Sequence, residues 1–199
     1  MNVPNILTIL RVLLVPTFVS VLIYVEDPII CGLVAAALFG LTSLTDTLDG
    51  KIARKYNLVT TFGKVMDPLA DKFMVFMAMI SLTIKFFLVA ETTNEKVLAN
   101  VILWVSAIVI FRELAITSMR LVAASTDGSV IAAAYLGKLK TVTQMVFTSF
   151  AIAEPALYGL GLSIFDSHII SYVLMALMTV MTIWSGADYL KSYWKYIKE

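Results

Sequence analysis

Met66-Asp67-Pro68-Leu69-Ala70-Asp71-Lys72-Phe73-Met74-Val75-Phe76-Met77-Ala78-Met79-Ile80-Ser81-Leu82-Thr83-Ile84-Lys85-Phe86-Phe87-Leu88-Val89 is the stretch that decides the fold. From Phe73 to Ile84 it carries no charge, and it exceeds the about 20 mostly apolar residues that a helix needs to cross a bilayer. It opens on two aspartates four residues apart, which puts both carboxylates on one helix face at one end of the span. Five further runs of the same kind follow on either side: Ile9–Val25, Ile29–Asp46, Val97–Met119, Thr141–Leu162 and His168–Leu190. Lipid offers no partner to an unpaired backbone amide, so spans of this length are helices. The 199 residues are 60% hydrophobic and 15% charged, with a mean hydropathy of +0.90. Soluble domains carry roughly a quarter of their residues charged. The expected fold is an all-α integral membrane protein of six transmembrane helices, one domain over residues 1–199. The first eleven residues are expected to form a short interfacial helix before the chain turns into the bilayer.

The rest of the composition excludes other classes. With 15 Lys+Arg against 14 Asp+Glu, the chain has no basic field for nucleic acid. Its one cysteine, Cys31, forms no internal disulfide and sits in an apolar run. The opening Met1-Asn2-Val3-Pro4-Asn5 lacks the basic segment of a cleavable signal peptide. Lys51, Arg54, Lys55 and Lys64 lie between spans two and three. Arg120, Lys138 and Lys140 bound the connection of spans four and five, and Lys191, Lys195 and Lys198 follow span six. The alternate connections hold Glu26 and Asp27, Glu91 and Glu95, and Glu154 and Asp166. The positive-inside rule therefore expects both termini and the even-numbered connections at the cytoplasmic face of the cell membrane.

Asp46 and Asp49 close the second span as Asp67 and Asp71 open the third. Four gathered carboxylates repel one another unless cations sit among them. Oxygen donors suit Mg²⁺, Mn²⁺ or Ca²⁺, whereas zinc and copper favour histidine or cysteine. The only histidine, His168, is expected on the opposite side of the membrane. The competing structural account pairs the acids with Lys51, Arg54, Lys64 and Lys72 as an interfacial charge belt. Four acids between positions 46 and 71, at helical spacing on consecutive spans, favour the metal. Gly50, Ala53 and Gly63 continue the acidic faces one turn outward, leaving room for a flat ligand or for tight helix packing.

Written out, these positions read D-x2-D-G-x2-A-R-x8-G-x3-D-x3-D, which resembles the full signature of the CDP-alcohol phosphotransferase family. Further features are similar to its bacterial phosphatidylglycerophosphate synthase branch. They are Pro4-Asn5-x2-Thr8-x2-Arg11, Met66 to Lys72, Phe111-Arg112-Glu113 and Gly137-Lys138-x-Lys140-Thr141-x2-Gln144. The resemblance implies that CDP-diacylglycerol gives its phosphatidyl group to sn-glycerol 3-phosphate, releasing CMP. It implies Asp46, Asp49, Asp67 and Asp71 as ligands of two divalent ions, Mg²⁺ or Mn²⁺, with Asp71 as general base or chiefly a metal ligand. It implies Asn5, Thr8, Gly50, Ala53, Arg54, Thr60 and Gly63 around CDP-diacylglycerol, Arg54 on phosphate. A homodimer is implied as well.

A phosphorylated acceptor needs a second anion pocket. Arg112 lies inside the fourth span, and Arg120 is eight residues on, close enough in helical phase to share one broad face. Lys138 and Lys140 begin the fifth span, where side chains two apart point differently; both also suit anchoring to anionic lipid. Glu113 is placed to neutralise a basic neighbour or orient Arg112. Asn5, Thr8 and Arg11 form a polar stripe that faces the nucleotide phosphates, the acid cluster or the membrane interface. Thr60 and Thr61 fit a helix cap as well as ligand contact. Tyr189, Tyr193, Trp194 and Tyr196 read as an interfacial aromatic belt. Two alternatives remain at this stage: the same chemistry with inositol phosphate, serine or a phosphatidyl group as acceptor, and a divalent-cation transporter. The apolar character of spans two and three beyond their acidic ends argues against a transport path.

Overall fold

In the computed structural model the described residues are 2–56, 60–126, 135–165 and 167–197; side chains from 46 to 55 and at a few other positions lie outside that description. All the regular structure among them is helical. α1 is Val3–Tyr24, α2 Pro28–Lys55, α3 Thr61–Val89, α4 Thr93–Thr126, α5 Tyr135–Gly159 and α6 Ile169–Ile197, with one 3-10 turn at Ser163–Phe165.

Local chemistry sets the helix ends. Asp27 Oδ1 accepts from the amides of Ile29 (2.9 Å) and Ile30 (2.8 Å), and Pro28 fills the first position of α2, where no amide is needed. Thr60 caps α3 by accepting from the Gly63 amide at 3.0 Å. Thr92 and Glu95 form a reciprocal capping box at α4: Thr92 Oγ1 accepts from the Glu95 amide at 3.3 Å and Glu95 Oε2 from the Thr92 amide at 2.8 Å. After α5 the chain turns through Gly161 at φ +90°, with Leu162 N donating to Leu157 O (3.3 Å) and Gly161 N to Tyr158 O (2.9 Å). Glycine suits this left-handed cap because it has no Cβ to clash.

The helices close into a ring in the order α1, α2, α5, α6, α4, α3 and back to α1, with α5 also touching α3 across it. Apolar side chains from every helix fill the middle, among them Phe18 of α1, Ala35 of α2, Met79 of α3, Ile102 of α4, Phe147 of α5 and Met178 of α6. Large apolar residues such as Leu13, Trp104, Phe111 and Trp184 lie on the outside. That is the distribution expected where the solvent is lipid, which imposes no penalty on exposed Leu or Trp. Among the described residues five helices are long and apolar enough to cross a membrane: Asn5–Tyr24, Pro28–Thr45, Met66–Val89, Thr93–Ala123 and Ile169–Trp194. The chain is a multi-pass membrane protein.

Two expectations need correction. No separate interfacial helix precedes the first span, because α1 runs unbroken from Val3 to Tyr24. Its polar stripe is turned onto α3 instead of lying in the interface. The expected fifth span, Thr141–Leu162, ends earlier, at Gly159, and its helix falls short of the apolarity that the other five reach. Lys140, Gln144, Thr148 and Glu154 of α5 are all buried within the ring. A helix with neighbours on several sides can carry polar groups inward without presenting them to lipid.

Candidate active site

The first turns of α1 and α3 meet in a knot of hydrogen bonds. Thr60 Oγ1 donates to Asn5 Oδ1 at 2.9 Å, and Thr8 Oγ1 donates to Asp67 Oδ1 at 2.7 Å. Arg11, one turn beyond Thr8, is fully buried. The Asn5–Thr8 end of the stripe is thus turned toward Thr60 and Asp67 of α3 and not toward the membrane interface. Gly63 sits in the same knot: a Cβ there would lie 3.4 Å from Thr60 Oγ1, 3.5 Å from Asp67 Oδ2 and 3.6 Å from Asn5 Oδ1. Thr60 thus performs its capping role while also tying α3 to α1.

Asp67 and Asp71 stand one turn apart on α3, both partly accessible. Asp46, Asp49, Gly50, Ala53 and Arg54 fall on the last turns of α2, where the helix backbone is defined but their side chains lie outside the described residues. Among the described residues no three acidic, histidine or cysteine side chains gather as a metal site. The Thr8 bond fixes one oxygen of Asp67 and orients the other. Among the described side chains, Asp67 and Asp71 offer the hard carboxylate oxygens that an oxygen-seeking divalent cation takes.

Asp71 also lines a cavity of about 310 Å³, together with Lys72, Arg112, Glu113, Arg120, Lys138, Lys140 and Tyr189 among others. All four basic residues expected to take the acceptor phosphate are therefore on one chamber. Glu113 organises it: its Oε1 accepts from Arg112 Nη1 at 2.8 Å and pairs with the buried Lys140 ammonium. Both roles anticipated for Glu113, neutralising and orienting, are realised. Lys138 is exposed and Lys140 buried, yet both line the chamber. Lys72 donates to Thr117 Oγ1, whose own hydroxyl donates to Glu113 O at 2.7 Å. Lys72 is held on the chamber wall by this contact.

α6 supplies a wall that sequence reasoning missed. Arg112 Nη2 donates to Ser185 Oγ at 2.8 Å, and its stem lies over Gly186, where a Cβ would approach Arg112 Cγ to 3.3 Å. Arg120 Nη2 donates to the Tyr189 hydroxyl at 2.5 Å, and its guanidinium carbon sits 4.9 Å from the Tyr189 ring centroid. The Arg112 guanidinium carbon lies 5.8 Å from the centroid of the same ring, so one aromatic ring attends both cations. Tyr189 and Tyr193 are 3% and 1% exposed and stack on each other, so they are chamber and core residues and not part of an interfacial belt. Trp194 remains exposed. The signal available in sequence was the four-residue spacing of Ser185 and Tyr189, which puts both on one face of α6. His168 lies at the far end of α5 from Lys140, bonded through Nδ1 to Glu154 at 3.0 Å, and takes no part in the chamber.

Comparison with known proteins agrees with the signature. The CDP-alcohol phosphatidyltransferase family matches residues 1–184. This chain belongs to that family. It is 34% identical to the CDP-diacylglycerol–glycerol-3-phosphate 3-phosphatidyltransferase of Bacillus subtilis over 99% of this chain and 97% of that one. It is 36% identical to a probable phosphatidylglycerophosphate synthase of Mycobacterium tuberculosis, over 94% of this chain and 79% of that protein. A third relative, the CDP-diacylglycerol–glycerol-3-phosphate 3-phosphatidyltransferase of Rickettsia bellii, is 33% identical over 98% of this chain and 97% of its own. The chain is an enzyme, a phosphatidyltransferase, of a family that in general depends on divalent metal.

Proposed function

We propose that this protein transfers the phosphatidyl group of CDP-diacylglycerol to sn-glycerol 3-phosphate, yielding phosphatidylglycerophosphate and CMP. The observation that carries the proposal is the shared chamber: a carboxylate, Asp71, lines the same cavity as Arg112, Arg120, Lys138 and Lys140. A phosphate monoester brings two negative charges, which an enclosure of this cationic excess neutralises; serine would leave these cations without a counterion. The names of the bacterial relatives support the same acceptor.

In the reaction, the primary hydroxyl oxygen of the acceptor bonds to the phosphatidyl phosphorus as the bond from that phosphorus to CMP breaks. Asp71 takes the hydroxyl proton. Arg112, Arg120, Lys138 and Lys140 hold the acceptor phosphate and orient its free hydroxyl. Asn5, Thr8, Gly50, Ala53, Arg54, Thr60 and Gly63 form the donor side, where Arg54 contacts phosphate and the small residues let the nucleotide lie against the backbone. Asp46, Asp49, Asp67 and Asp71 would hold Mg²⁺ or Mn²⁺, two ions in all, whose positive charge offsets the pyrophosphate and the CMP leaving group. Residues 1–199 act as one domain, as a homodimer, in the cell membrane with the chamber open to the cytoplasm. The basic connections beside the chamber support that orientation.

The test is CMP release by purified protein from CDP-diacylglycerol with a panel of acceptors, with and without EDTA. Release with glycerol 3-phosphate alone, lost in EDTA and restored by Mg²⁺ or Mn²⁺, is the expected result. Release with inositol phosphate or serine in its place refutes the acceptor, and release undiminished by EDTA refutes the metal.

A further inference from the structure

At the end of the ring away from the catalytic chamber, two cavities of about 260 Å³ and about 240 Å³ share the walls Pro28, Phe86, Val89 and Pro155. Leu22, Leu82 and Ile152 make the larger one apolar, and its two charged groups are Lys85 and Glu26. Glu26 is exposed, whereas Lys85 is half-buried and donates through Nζ to Val25 O at 2.9 Å. An ammonium has three donors, so two are left over. The smaller cavity holds Glu95, Glu154 and His168 beside the rings of Phe86, Tyr158 and Phe165. Glu154 is 1% exposed; its Oε2 accepts from Ser171 Oγ at 2.7 Å and meets His168 Nδ1 at 3.0 Å, but its Oε1 has no protein partner. Closing the connection between α5 and α6 accounts for one oxygen of Glu154 and leaves the other. A buried acceptor without a donor is costly, and ionisable groups at membrane depth mark functional sites.

We propose that the two cavities together bind one phospholipid with a primary-ammonium headgroup. Its ammonium meets Glu154 and Glu95, its phosphate meets Lys85, and an acyl chain follows the apolar walls of the larger cavity. Val89 follows Lys85 by one turn of α3 and lines both cavities, so the lysine and the acids stand on either side of a shared wall. That separation of charge matches a zwitterionic headgroup, which carries an amine and a phosphate on one short linker. The open Oε1 calls for a hydrogen-bond donor. A primary ammonium supplies three and a trimethylated one none, while aromatic rings attract either. Phosphatidylserine is disfavoured because its extra carboxylate would face Glu95 and Glu154. The site is separate from the transfer chemistry and does not rest on the acceptor assigned above.

The test follows thermal unfolding of the full-length protein in detergent during titration with phosphatidylethanolamine, phosphatidylcholine or phosphatidylserine of the same acyl chains, and with free ethanolamine. Phosphatidylethanolamine in about hundredfold excess over its Kd is expected to raise Tm by about 5–10 °C. The other three additives give less than about half that shift. Glu154→Gln and Lys85→Met each cut the phosphatidylethanolamine shift at least about twofold, measured against each variant's own lipid-free Tm. Glu95→Gln, which keeps a capping side chain for α4, cuts it as well and stands in should Glu154→Gln not fold. An absent shift overturns the proposal, and so does an equal shift from phosphatidylcholine or phosphatidylserine, which removes the ammonium donor from the recognition. An equal shift from free ethanolamine overturns the lipid, since it leaves no part for Lys85 and the apolar cavity. A shift that every variant retains places the lipid elsewhere on the protein and defeats the assignment.

Discussion

Replacing Arg112 by alanine removes the guanidinium that the chamber holds from two sides, by Glu113 at 2.8 Å and Ser185 at 2.8 Å. Its side chain is 12% exposed, so a phosphate that reaches it does so in a largely desolvated site. Hydrogen bonds to charged groups contribute about 1.5–3 kcal/mol, and each 1.4 kcal/mol is about tenfold in affinity. Loss of the arginine therefore raises KM for glycerol 3-phosphate by about 10- to 100-fold. The fold survives the change because Glu113 keeps Lys140 as a partner and is not left as an isolated buried charge. KM for CDP-diacylglycerol, whose proposed site lies toward α1 and the end of α2, stays within about threefold. The assay is CMP release in mixed micelles, varying each substrate at saturation of the other, so that the two KM values are separated. Arg112→Lys restores only part of the loss, because an ammonium lacks the planar fork that serves Glu113, Ser185 and a phosphate together. A parallel rise in both KM values refutes the assignment of separate donor and acceptor pockets, whatever the overall loss of activity.

Asp71→Asn is expected to reduce kcat below detection while metal-dependent binding of CDP-diacylglycerol, followed by equilibrium binding in detergent, is partly retained; undiminished turnover removes Asp71 from its role as base. Thr8→Val deletes the 2.7 Å bond to Asp67 Oδ1 without altering side-chain volume. Residues that orient metal ligands typically contribute about 10- to 100-fold in metal affinity, so the Mg²⁺ concentration for half-maximal activity should rise at least tenfold. Saturating Mg²⁺ then recovers most of the turnover, and an unchanged Mg²⁺ dependence refutes a link between Thr8 and the metal site.

The spans were legible because lipid enforces a simple rule on sequence: a helix that faces it must be apolar along its length. The same rule explains why the fifth helix falls short of the apolarity expected of it. α5 buries Lys140, Gln144 and Glu154 against its neighbours, so its polar residues depress its apolar character without touching lipid. Nothing local distinguishes a polar residue facing a helix from one facing acyl chains; that depends on the ring order, which only the assembled fold supplies. The interfacial helix failed for a related reason. Asn5, Thr8 and Arg11 make a polar stripe whether water or Asp67 and Thr60 lie opposite, and the deciding partners are more than fifty residues away.

The acidic signature was legible because its spacing is local to two consecutive helices, and the basic half of the chamber because Arg112 is too deep in a span to be an anchor. The α6 wall was not. Ser185, Gly186 and Tyr189 bear no charge that would look misplaced in a membrane, and their chemistry appears only once α4 packs beside α6. A serine hydroxyl, a missing Cβ and an aromatic face are ordinary in any transmembrane helix; together they confine two arginines that would otherwise extend toward water. Their cations stay beside Asp71 for the same physical reason that they were hard to find: the groups that restrain them are neutral, so they orient positive charge without cancelling it. An acidic wall would have bound the arginines more tightly and left less of their charge for a phosphate. Glu113 is the measured exception, one carboxylate spread between Arg112 and Lys140. This balance leaves the chamber an excess of positive charge on the wall that it shares with Asp71, which is the arrangement that binding of a phosphorylated alcohol requires.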